Sequence, residues 1–188
     1  MSQQSPKWKL DSGITPEEAQ LIGMIIVEFA AIEHVMFIQT LESFENASED
    51  KPKTLNGIQF SETLKYWKAR VASTSDETIS KVLLEQHTEI KRLQEYRDAL
   101  VHGLFTWSPT EPQKLTAQRT KKHEYIKVTF SINDLRSFQD RISDIHFKIR
   151  HPSGPEDMIS SMIESGGYID RSFCTSASPS SEAEQAAS

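Results

Sequence analysis

Apolar residues recur at three- and four-residue spacings along most of this chain, and alternate with polar ones in one internal stretch. Between Leu21 and Ile38 they cover nearly the whole circumference of a helix. Thr15-Pro16-Glu17-Glu18 comes just before, with threonine as N-cap, proline at the first helical position and acids at the positive end of the helix dipole. The pattern predicts a helix running to about Phe44 at the centre of a bundle. Residues 45–59 are turn-rich. A second helix is expected from about Ser61 to Ala72, with Leu64, Trp67 and Val71 on one face. A third begins near Ser75-Asp76-Glu77 and continues to His102, with its stripe at Ile79, Val82/Leu83, Ile90, Leu93 and Leu100/Val101. Gly103 stands where a helix-ending glycine belongs.

The period then changes. Leu104-Phe105-Thr106-Trp107 is aromatic and β-branched, Ser108-Pro109 breaks it, and Tyr125-Ile126-Lys127-Val128-Thr129-Phe130 alternates. A two-stranded hairpin is expected over about 104–130, with a long basic connection holding Lys114, Arg119, Lys121 and Lys122. Ser131-Ile132-Asn133-Asp134 caps a last core helix, which ends before Pro152. The fold class expected is mainly α, a bundle of four to five helices with a β-hairpin inserted before the last core helix. Residues 1–14 read as an arm, 15–150 as the helical domain, and 151–188 as a short helix (Pro155 to Glu164) followed by a disordered acidic tail.

Composition narrows the function. At 188 residues the chain can bury one proper core. Its single cysteine, Cys174, cannot make an intrachain disulfide, and neither CxxC nor HExxH spacing occurs. No metal and no cofactor are expected. The polar N-terminus lacks a leader's apolar core, so a cytoplasmic location is expected. Leu21–Ile38 is long enough to span a membrane, but Glu28, Glu33 and His34 interrupt it, and a buried soluble helix is the better reading. Net charge is −6, which opposes generic nucleic-acid binding. The total hides unlike parts: −5 over residues 1–60, +4 over 61–150 and −5 over 151–188.

The chemistry gathers at the end of the third helix, Tyr96-Arg97-Asp98-Ala99-Leu100-Val101-His102-Gly103. Stepping from Ile90 through Leu93 places Arg97 on the apolar stripe, where a guanidinium needs a partner. Glu33 and Glu28 of the first helix are the candidates, and Glu33 itself stands among Ile26, Phe29, Met36 and Phe37. His102 lies about 7.5 Å further along the axis, rotated by about 140°. Arg97 and His102 could offer two cationic donors at one helix end, suited to binding or cleaving a phosphodiester. Equally, the histidine could cap free carbonyls and the arginine could hold the first helix.

Arg97-Asp98-x3-His102-Gly103 at a helix end, followed by an aromatic strand, resembles the HEPN superfamily, whose signature is Arg, a polar residue, three variable residues and His. Ile32-Glu33-His34-Val35 resembles the acidic central helix of its bacterial members. The resemblance implies a HEPN-like four- or five-helix bundle forming a two-fold homodimer. In nuclease members both subunits' Arg and His face one cleft, and the ribose 2′-OH attacks the adjacent phosphate without a metal. It implies an endoribonuclease, a toxin or defence component, with RNA as substrate and an antitoxin or other protein as partner. Arg97 would bind the scissile phosphate, His102 would transfer protons, Asp98 would orient the histidine or an arginine of the partner subunit, and Glu33 would support Arg97. Other HEPN-like proteins are non-catalytic interaction or nucleotide-binding modules, the alternative here.

Lys114, Arg119, Lys121 and Lys122 could then contact the RNA backbone, or simply be a solvated loop. Trp107 and Phe105 could stack bases, although aromatic strand residues covering a small bundle are the simpler reading.

Overall fold

Thr15 opens α1 (Pro16–Asn46) with a reciprocal cap. Its hydroxyl accepts from the Glu18 N–H at 3.2 Å, while the Glu18 carboxylate accepts from the Thr15 N–H at 2.8 Å. The computed structural model describes residues 13–56, 59–121 and 123–164. A short 3₁₀ turn, Lys53–Asn56, leads to α2 (Phe60–Trp67), which passes into one π-helical turn, Lys68–Ala72. There follow α3 (Glu77–His102), β1 (Leu104–Ser108), β2 (Glu111–Lys121), β3 (Glu124–Ser131), α4 (Ile132–Arg150) and α5 (Pro155–Glu164). The protein is mainly helical with a small antiparallel sheet. It divides into two units, residues 1–150 and 151–188. Most of the expected arm, Lys122, and the tail with Cys174 lie outside the described residues.

The core of the first unit follows the stripes. Ile25, Phe29, Ile32 and Met36 of α1 join Leu135, Ile142, Ile145 and Ile149 of α4, with Ile90, Leu93 and Leu100 of α3. Trp67 closes the α2 side, fully buried, its indole N–H donating to Gln39 Oε1 at 2.7 Å. Each such side chain contributes about 1.5–3 kcal/mol through burial.

Three expectations need correction. The first helix is not enclosed on all sides. It buries the stripe Ile22, Ile25, Phe29, Ile32, Met36, but Met24, Val27 and Ile38 are exposed, Val27 by 65%. Apolar composition around a helix does not fix how many neighbours it has; α2, α3 and α4 pack against α1 and leave Met24, Val27 and Ile38 exposed.

Nor is the β region a two-stranded hairpin. The connection expected to be a loop is itself the central strand β2, in a three-stranded sheet of order β1-β2-β3. Leu115 and Ala117 alternate onto the core side and are buried. The Thr, Gln, Arg and Lys residues between and after them dilute the hydrophobic signal. A third strand also relieves the weakness of an isolated hairpin.

α3 begins at the N-cap Asp76, whose carboxylate accepts from the Thr78 and Ile79 N–H groups at 2.9 and 3.1 Å. Its end at Gly103 has a different cause from the one expected. Gly103 is extended (φ −80°), not left-handed. A Cβ there would lie 2.3 Å from the Ala99 carbonyl oxygen and 3.1 Å from Ala117 Cβ. The glycine permits helix α3 and strand β2 to approach where the chain turns into β1.

Candidate functional site

Alternation along β2 carries the core face from Leu115 and Ala117 to Arg119, so this arginine enters the junction between sheet and α3. Its side chain is only 9% exposed. Asp98, near the end of α3, meets it: Arg119 Nη1 lies 3.4 Å from Asp98 Oδ2. The other oxygen of Asp98 accepts from Arg97 Nη1 at 3.1 Å. Arg97 Nη2 donates to Glu33 Oε1, and its guanidinium carbon sits 4.9 Å from the centre of the Phe29 ring. Charges of alternating sign thus run from α1 through α3 to β2: Glu33, Arg97, Asp98, Arg119.

Of the two acids left open for Arg97, Glu33 is the partner; Glu28 instead accepts from Ser143 Oγ at 2.6 Å. Arg97 is 19% exposed.

The last member of this series lines a groove of about 580 Å³ with His102, Leu104, Gln118, Thr120, Lys121 and Tyr125. His102 is exposed at the mouth, the final residue of α3. Arg97 does not line the groove. Its neighbour Asp98 connects it to Arg119, which does. Lys121 Nζ lies 3.7 Å from Glu95 Oε1. Lys114 belongs elsewhere, five residues or about 17 Å up the strand on the opposite face, in a second cleft with Ile14, Glu18 and Trp107.

The aromatic candidates are not in the groove. Phe105 packs on the core. Trp107 lies over Gly13, whose φ of +65° and missing Cβ let the chain pass the indole. Leu104, Gln118 and Tyr125 escaped the sequence reasoning. The available signal was Tyr125, an aromatic residue that alternation places on the outer face with Lys127. Among the described residues the two groups with displaced titration, His87 and Asp134, do not line the groove. No three His, Cys, Asp or Glu side chains among the described residues are grouped to hold a metal ion.

No protein-family model, no curated protein and no solved structure matches this chain.

Proposed function

We propose that the protein is a HEPN-like, metal-independent endoribonuclease acting at the groove beside the end of α3. The observation that carries this reading is the exposed imidazole of His102 in one groove with a guanidinium, Arg119, that is tied through Asp98 to Arg97. A ribose 2′-OH attacks the adjacent phosphorus; the 2′-oxygen–phosphorus bond forms and the bond to the 5′-oxygen breaks. His102 exchanges a proton with the reacting oxygens, and the cations offset charge developing on the phosphoryl oxygens. The products are a 2′,3′-cyclic phosphate and a 5′-hydroxyl end. A homodimer fits the same reading, since the exposed Met24, Val27 and Ile38 leave an apolar face on α1 open to a second copy.

Incubation of the purified protein with RNA and a chelator tests the proposal. Cleavage should persist with chelator and fall by about a hundredfold or more in His102→Ala; equal cleavage by both proteins removes the mechanism.

One observation favours the second reading, a non-catalytic HEPN-like module that binds RNA, a nucleotide or a protein partner. Arg97 is held by Glu33, Asp98 and Phe29 and does not line the groove, as a structural residue would be. That reading expects no cleavage by the wild type, together with a lowered melting temperature in Arg97→Ala.

A further inference from the structure

β1 starts at Leu104, opposite Gln118, so among the described residues Arg119 to Lys121 of β2 have a neighbouring strand only on the β3 side. Around this open edge the groove is reached from both faces of the sheet. Arg119 and Lys121 come from the core side, Gln118, Thr120 and Tyr125 from the outer side.

Arg119 has an unmet demand on the core side. Among the described residues its Nε and Nη2 are buried without an acceptor, and Nη1 meets the Asp98 carboxylate at 3.4 Å. Guanidinium donors buried without partners are costly, so a turn of this side chain toward an acceptor in the groove is favoured. The planar fork matches the oxygens of a phosphate.

On the outer side Tyr125 is 66% exposed, yet its ring is not free to swing. Its hydroxyl donates to Gln118 Oε1, and the Gln118 amide donates to Thr106 Oγ1 at 2.9 Å. An exposed aromatic face already fixed at its far end loses little further freedom when something stacks on it. A phosphate-seeking fork and a fixed ring, on the two sides of one sheet edge, match the two halves of a nucleotide.

We propose that this edge holds one nucleotide unit of single-stranded RNA, with the phosphate on Arg119 beside Lys121 and the base stacked on Tyr125. The inference rests on the RNA reading of the groove and requires no cleavage. Its test therefore uses a fluorescein-labelled, fully 2′-O-methylated oligoribonucleotide, which has no free 2′-OH to attack. Binding to the full chain is followed by anisotropy over a range of salt.

Tyr125→Ala should weaken binding by about tenfold with the salt slope unchanged, and Tyr125→Phe should retain most of the affinity. Arg119→Gln should weaken binding and make the logarithmic salt slope shallower by about 0.7, one phosphate contact. Lys81→Gln, on α3 far from the groove, should bind as the wild type. If Arg119→Gln does not fold, Arg119→Lys, which keeps the charge and loses the fork, should bind several-fold more weakly. Wild-type affinity in Tyr125→Ala, or an unchanged salt slope in a folded Arg119→Gln, overturns the proposal. So does failure of the wild type to bind, as expected if a strand of a second copy fills the open edge. Binding with these losses but without cleavage of natural RNA keeps this inference and removes the nuclease reading.

Discussion

A guanidinium on the buried stripe of a helix persists only where its charge is matched, and Arg97 is matched three times, by Glu33, Asp98 and the face of Phe29. The Glu33–Arg97 pair links α1 to α3 across 64 residues of sequence, so its loss is felt by the fold as well as by the site. Both side chains keep some solvent contact, 19% and 29%, which places the pair between an exposed bridge and a sealed one. Arg97→Ala should cost about 2 kcal/mol and Glu33→Gln about 1 kcal/mol in urea unfolding. Their double-mutant cycle should return a coupling of about 1 kcal/mol. A coupling near zero would mean that Asp98 and Phe29 alone hold the arginine. Arg97→Lys should not rescue, because an ammonium cannot reach two carboxylates with a rigid fork.

Where elements meet, charge is placed less comfortably, and there the pH dependence of stability arises. His87 is buried on α3, with Lys68 of the π-helical turn and Lys91 of its own helix nearby. Burial first, and the two lysines second, push its pKa below the ordinary 6.5. The unfolded chain therefore takes up the proton more readily than the folded one. Stability should be full above pH 6.5 and decline as pH falls from 6.5 through the lower folded value. Melting temperatures between pH 7.5 and 5.5 should show this decline in the wild type and less of it in His87→Gln; equal slopes would place the effect on other groups.

The helices are the part of this fold that the sequence encodes locally. The caps Thr15 and Asp76 and the stripes of α1, α3 and α4 are local codes, and they place the helices to within a few residues. Strand β2 was hidden because its core face has only Leu115 and Ala117 before the arginine, and a central strand is defined by partners distant in sequence. For the same reason the Glu33–Arg97 pair could be anticipated from two stripes, whereas the Asp98–Arg119 contact depends on the register of a strand read as a loop. The role of Gly103 was likewise beyond local reading, since its close neighbour Ala117 belongs to that strand.

For the whole molecule, the net charge of −6 bears directly on the proposal that the groove holds RNA. The acidic excess belongs to residues 1–60 and 151–188, while residues 61–150, which include α3 and the sheet, have a surplus of four basic residues. Part of that basic charge is already paired, Arg97 with Glu33 and Asp98, Lys148 with Asp144 and Arg141 with Glu89, while Lys121 is held more loosely, 3.7 Å from Glu95. The basic residues that line the groove are few, Arg119 and Lys121 with His102 beside them, a local set rather than an extended basic surface. Binding should then draw on two or three phosphates and on stacking, not on a broad field. With about 0.7 of a counterion released per phosphate on a single strand, the logarithmic salt slope should be about −1.4 to −2. Raising salt from about 50 to 200 mM should weaken binding by about seven- to twentyfold, far less than the 10³–10⁵ lost by proteins with six to ten phosphate contacts. Anisotropy titrations at four salt concentrations measure this slope. A slope several times steeper would mean that RNA lies across a basic surface much larger than the groove, and would move the site away from the end of α3.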